Sequence, residues 1–315
     1  MLILITSLHT SWRPVRPLQA FPPEAAMARR GVLSVVDWER QCVLAEAPYD
    51  SPAGACFTRS HLWLASNGAH NVRRFDHSLT NDATTVHPMF NDLHTLAPSR
   101  RGILAAVAGT DAIIEMDQDG RVVWIWMATE HGYNRQPDGR LRRVRGAVDW
   151  SRAANTTREQ CTHVNSALEM DENTVLATLF TQGHLIAIDR TSGRSQVLVE
   201  GLERPHRIAK AVACTGWTVC DSGASRVALL EEDFHISGEI VSDFNWVQDA
   251  LRLGDRALIL DANNCRVVEW DVVDRRAVTW LPYEQNRKAF SITVVPPEWE
   301  ADICRLQEWG DRYAR

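Results

Sequence analysis

Histidine recurs in one particular setting in this chain. Asp92–Leu93–His94, His163–Val164–Asn165 and Pro205–His206 each place an imidazole at the head of an apolar stretch, and Val247–Gln248–Asp249 places an aspartate there. Neutral imidazole suits zinc, iron, copper or nickel, and a nearby carboxylate or carboxamide completes or orients the ligand shell. His94, His163 and His206 are therefore candidate ligands of a divalent transition metal (zinc, iron or copper). Asp92, Asn165 and Asp249 are candidate acid/base or ligand-orienting groups. The same residues without a metal could bind substrate and move protons directly. His77, His87 and His235 fall outside the pattern and are expected to be surface or structural. Cys161 abuts one segment, but nothing in its neighbourhood marks a stabilised thiolate. There is no GxSxG elbow, Walker loop, dinucleotide fingerprint or HExxH motif.

Residues so far apart in sequence converge only if a repeat brings them together. One unit reads Leu258–Asp261, an apolar strand, then Ala262–Arg266, a polar turn, then Val267–Asp271, an alternating strand ending in an acid. Related units fall at 218–231, 176–189, 104–117 and 63–76, and more loosely at 2–37. An aliphatic residue precedes an acid by four positions in each: Leu33/Asp37, Val72/Asp76, Ile113/Asp117, Leu185/Asp189, Val227/Glu231 and Val267/Asp271. The successive spacings are 39, 41, 72, 42 and 40 residues. A period near 40 with short strands is the signature of a β-propeller. The fold expected is all-β: one six-bladed propeller spanning 1–315 as a single domain. Met1–Thr6 aligns with the second strand of a blade, so the first unit lacks its inner strand. Ser291–Val295 is expected to supply it and close the ring without an exposed edge. Apolar residues at Trp299, Ile303, Leu306 and Trp309 or Tyr313 predict a short helix over about 298–313.

Propeller geometry gives the histidines a common destination. Each inner strand starts at one rim of the central channel, and the turn between the second and third strands returns to it. That turn adds Asn67, His70, Asp111, His184, Ser222, Asn263 and Asn264 to the same rim. The spacing of 72 implies an insertion of about 31 residues, at about 130–160, between blades three and four. It is expected to cover the mouth as a lid, bringing Glu130, His131, Tyr133 and Trp150, with His131 and Tyr133 as further candidate catalytic groups. Its basic stretch, Arg135–Arg143, suits an anionic substrate.

Bulk composition agrees with a soluble enzyme and excludes other classes. A net charge of −6 argues against a general nucleic-acid binder. No apolar run approaches the length of a membrane span, and Met1–Thr6 reads as a strand and not a signal peptide, so a cytoplasmic location is expected. Seven cysteines without a CxxC pair suggest buried thiols in a reducing compartment. Of the twelve tryptophans, Trp63, Trp124, Trp126, Trp217, Trp270 and Trp280 lie in strands and are expected to pack between blades.

Asp261–Trp270 resembles the turn of NHL-type repeats. The segments Asp92–His94, His163–Asn165, Pro205–His206 and Cys220–Ser225 resemble a bacterial family of six-bladed propellers, over about residues 55–285. More distant six-bladed relatives include strictosidine-synthase-like proteins, metal-dependent lactonases and the peptidyl-hydroxyglycine lyase, which holds zinc with channel histidines. The lactonase pattern of acids and asparagines around calcium differs from this histidine-rich rim. The resemblance implies a metal-dependent lyase, hydrolase or cyclase acting on a small molecule, with secondary metabolism as the expected setting. A metal-free strictosidine-synthase-like enzyme and a non-catalytic propeller that binds a protein or peptide remain open alternatives.

Overall fold

Six four-stranded antiparallel sheets stand in a ring in the computed structural model, which describes residues 1–9, 31–153, 156–285 and 287–308. The inner strands are Pro52–Phe57, Leu93–Pro98, Val164–Glu169, Pro205–Lys210, Val247–Leu253 and Arg287–Val294, and each packs on the next around the ring. The first blade draws on both ends of the chain. Leu2–His9 pairs with Gly31–Asp37 on one side and with Arg287–Val294 on the other, in the register Ile3↔Val294, Leu4↔Thr293, Ile5↔Ile292, Thr6↔Ser291. This is the closure expected from the missing inner strand.

The repeated acid has a physical explanation. It ends the third strand of a blade, and its carboxylate accepts the backbone N–H groups of the next turn. Asp37 takes those of Glu39 and Arg40, Asp117 those of Asp119 and Arg121, and Asp271 those of Val273 and Asp274. Such side-chain turns favour Asp because its short arm reaches the backbone two to three residues on. Blade five has Glu231 at this place, and Asp233 takes over by accepting from the His235 N–H.

The core lies between neighbouring sheets. Leu104, Ile113 and Trp126 of blade three pack with Val164, Val175, Ala177 and Ile186 of blade four. Trp63, Trp126, Trp217 and Trp270 are buried between blades as expected, whereas Trp280, on the outermost strand of blade six, is 58% exposed. At the C-terminus the expected short helix is present. A single turn of 3-10 helix, Pro297–Trp299, leads into Glu300–Ile303. Trp299, Ile303 and Leu306 pack against blades one and two, and Trp309 and Tyr313 lie outside the described residues. No helix among the described residues is long and apolar enough to cross a membrane.

Candidate functional site

Two backbone devices present side chains at the mouth. First, a residue in the left-handed region immediately precedes five inner strands: Ser51, Asp92, His163, Arg204 and Trp246, with φ of 45°, 52°, 49°, 56° and 68°. Second, every inner strand has a register irregularity within its first few residues, as between Val164 and Ser166 or Pro205 and Ile208. A bulge of this kind re-aims side chains that simple alternation would turn away. Asp92 and His163 belong to the first device, and His94, Asn165 and His206 to the second. Asp92 stands just before the strand that begins at Leu93, and His94 lies within the irregularity between Leu93 and Leu96. Asp249 departs from the expected match with His206, being one residue further from the mouth.

The convergence is real for three of the named groups. Ligand atoms of Asp92, His94 and His163 all lie within 4.8 Å of one another. His94 Nε2 is 3.5 Å from Asp92 Oδ1, and the His94 and His163 rings meet edge to face at 4.7 Å. His206 stands beside them, 6.4 Å from His94 between ring centres, outside the tight cluster. The expected triad of histidines is thus an aspartate and two histidines, with the third imidazole adjacent.

The protonation states suit a cation. Burial pushes His163 down to about 3, the charge of His94 adds to this, and Asp92 opposes it. Burial also holds His206 well below its usual value, helped by His94, His163 and Lys288. Both imidazoles are therefore neutral near pH 7. Desolvation works to raise Asp92, but attraction from His94, a hydrogen bond to it, attraction from His163 and a hydrogen bond from Gln160 hold the carboxyl well below the usual range. An anionic carboxylate beside a neutral imidazole nitrogen of His163 is compatible with a transition metal.

Gln160 was not legible as a site residue. Its amide Nε2 donates to Asp92 Oδ2 at 3.1 Å, and its Oε1 meets His163 Nδ1, so it links two members of the cluster. That same His163 Nδ1 lies 3.9 Å from Asp92 Oδ2. Asn67 donates to Asp92 Oδ1 at 3.2 Å, as its rim position suggests. Buried Asp111 is a second hub. It accepts the N–H groups of Cys161, Thr162 and His163 and the Thr162 hydroxyl at 2.8–2.9 Å. Arg142, from the insertion, caps it at 2.5 Å.

The insertion is fastened to the ring. Asn91 Nδ2 donates to the carbonyls of Trp150 and Ala153, and Trp150 and Ser151 donate to Pro88 O. His131 and Tyr133 are not brought to the cluster. His131 stacks on Trp126 at 5.6 Å and fills the space where a Cβ on Gly193 would lie, while the Tyr133 hydroxyl meets Ser195 on an outermost strand. Both follow the chain outward because the insertion leaves from the outer edge of blade three.

Asn165 and Asp249 lie deeper. Asn165 Nδ2 donates to Pro205 O, which ties blade four to blade five, and its Oδ1 has no hydrogen-bond partner. Asp249 Oδ2 accepts from Ile292 N–H, and its Oδ1 has none, with Arg207 Nε 3.9 Å away. Burial raises the Asp249 carboxyl, against the pull of Arg207. Burial, and then the charge of Asp111, push the Cys161 thiol up to about 12, so it is an inert buried group.

No family model matches this sequence, and no curated protein matches it. Solved structures do. The chain resembles a chain of a nidogen/laminin complex (TM-score 0.62, 10% identity, 93% of this chain and 98% of that one). It resembles a Bacteroides caccae protein of unknown function (TM-score 0.61, 13% identity, 89% and 93%). It also resembles a catalytically inactive histidine-to-alanine variant of virginiamycin B lyase from Staphylococcus aureus with quinupristin (TM-score 0.51, 10% identity, 74% and 70%). At these identities the likeness is one of fold: the chain is a six-bladed β-propeller.

Proposed function

We propose that this protein is a metal-dependent enzyme acting on a small molecule at the channel mouth, with a divalent transition metal held by Asp92, His94 and His163. The carrying observation is that their ligand atoms lie within 4.8 Å of one another. Three protein ligands leave a coordination position open for substrate or water, as catalytic zinc sites do. A metal there would polarise a substrate oxygen or lower the pKa of bound water to about 7. Gln160 and Asn67 orient Asp92, and Gln160 also meets His163 Nδ1. His206, neutral and beside the cluster, is placed to exchange a proton with a bound molecule. Its Nδ1 is engaged by Arg204 O at 3.1 Å, which leaves Nε2 to do so. Lyase chemistry is the preferred reaction class, in keeping with the resemblance to a lyase; hydrolase and cyclase chemistry use the same parts.

The test is metal stoichiometry. Protein stripped with chelator and titrated with zinc should take up one equivalent, and Asp92→Ala and His163→Ala should each abolish uptake while remaining folded. No uptake of zinc, iron or copper by the intact protein would remove the proposal.

A further inference from the structure

The mouth has two chemically different sides. Around Asp92, His94 and His163 it is polar. Rings from blades four, six and one make the rest of it aromatic, and no catalytic role has been given to those rings. Phe180 lies 4.9 Å from His163 and 5.6 Å from His206 between ring centres. Trp246 lies 5.3 Å from His206 and 6.5 Å from Phe180. Phe290 lies 5.2 Å from His94. All three are only half-buried, whereas the interblade aromatic rings Trp63, Trp126 and Phe90 are fully buried.

Trp246 is held there by the same backbone device that presents Asp92 and His163. Its φ of 68° is a conformation bulky residues rarely adopt. Backbone bonds secure it: its N–H donates to Ser225 Oγ and its carbonyl accepts from Ala262. The indole N–H is taken by Gln248 Oε1 at 2.9 Å, which fixes the ring plane. Lys288 Nζ lies 5.6 Å from the centre of that ring, and exposed Arg204 adds a second cation on this side. Beyond Phe180 the wall continues into a groove of about 420 Å³ between the Phe180–Gly183 turn and Leu202–Arg204. The groove depends on close approach: a Cβ on Gly183 would lie 2.1 Å from Leu202 O.

We propose that this wall is the recognition half of the site and that it selects a substrate carrying an aromatic ring and an anionic group. The ring packs against Phe180 and Trp246, and the anion faces Lys288 and Arg204. Aromatic faces favour a π-system over a saturated ring of equal size, and the two cations supply the charge preference. The inference rests on reading the mouth as a small-molecule site, but not on the metal.

Phenylacetate is the probe, followed by ligand-observed NMR on chelator-treated protein. Cyclohexylacetate serves as the saturated control and 2-phenylethanol as the uncharged one. A fragment of this size should bind with Kd on the order of 1 mM. Each control should bind about threefold to tenfold more weakly. Trp246→Leu and Phe180→Leu, which keep apolar bulk, should remove the preference for phenylacetate over cyclohexylacetate. Lys288→Gln should remove the preference over 2-phenylethanol, with melting temperatures recorded for every variant. Equal binding of the three probes, unchanged selectivity in a folded Trp246→Leu protein, or no binding of phenylacetate would overturn the proposal. Because metal is absent from this experiment, failed zinc uptake with intact aromatic selectivity would leave this inference standing and remove only the metal.

Discussion

Two places in the ring do the same mechanical job with different parts. At blade five, Asp221 holds the approach to its own inner strand by accepting the Glu203 N–H at 2.5 Å, and it is capped by Arg226, five residues on in the same turn. Asp261 and Arg266 repeat this at blade six. At the junction of blades three and four, Asp111 holds the approach to the next inner strand through four donors, and its arginine arrives from the insertion. Arg226 is 32% exposed and Arg142 only 9%. The ordinary junction is local and partly wet. The junction beside the site is non-local and dry, and it fixes the backbone of His163 while Gln160 fixes its ring. The insertion therefore works as a strap on the cluster of Asp92, His94 and His163.

Breaking the two hubs should give the largest difference. Asp111→Ala leaves Arg142 buried without its partner, and should cost about 3–5 kcal/mol in urea unfolding together with the metal site. Asp221→Ala removes a more exposed pair and should cost about 1–3 kcal/mol, with metal uptake intact. Equal losses would mean that the junctions are mechanically alike. The arginines should follow at smaller size. Arg142→Met should cost about 2 kcal/mol, since Asp111 keeps its backbone donors, and should weaken metal binding; Arg226→Met should cost about 1 kcal/mol and leave it unchanged. Calorimetric zinc titration beside a denaturation curve separates the two.

Gln160→Leu tests whether the strap positions ligands or only holds the chain. Loss of an orienting partner should weaken metal binding by about 10–100-fold while melting changes little. A matched loss in Gln182→Leu, whose amide bonds only the Cys161 carbonyl, would make the effect unspecific.

The last contrast is in pH, and its sign differs between the junctions. His163 has its folded pKa pushed down from 6.5 to about 3, so the unfolded chain takes a proton the folded chain refuses. The resulting stability is present above pH 6.5 and is lost as pH falls toward 3; His206 acts in the same direction. Metal-free protein should lose about 1 kcal/mol per pH unit in that window, and His163→Asn should flatten the slope. Asp221 has its carboxyl raised, by burial and against Arg226, so it favours the fold as pH falls. A melting series from pH 7 to 4 on the metal-free protein, its His163→Asn variant and Asp221→Asn checks both signs.

Much of this fold could be read from the chain because its signals are local. The acid that closes each outer turn must lie a few residues from the N–H groups it accepts, so Asp37, Asp117, Asp189 and Asp271 recur with the blade. The missing inner strand of the first unit likewise points to Ser291–Val295, since a ring with an open blade would expose a sheet edge, and the observed strand is Arg287–Val294. Topology then placed His94, His163 and His206 on successive blades at one rim.

What the sequence could not convey is direction and distance. Left-handed residues and bulges, not strand alternation, aim Asp92, His94 and His163 together, and neither device has a residue type that announces it: Ser, Asp, His, Arg and Trp all fill the left-handed place. The insertion's length suggested a lid, but its path was decided by where Arg142 found a buried carboxylate and where His131 found the face of Trp126. Gln160 and Trp246 carry no motif, and their importance comes from contacts with residues distant in sequence or in another blade. The repeat and the rim were determined by short-range hydrogen bonding written into each turn. The cluster, its strap and its aromatic wall were decided by packing between blades, which only the closed ring brings into register.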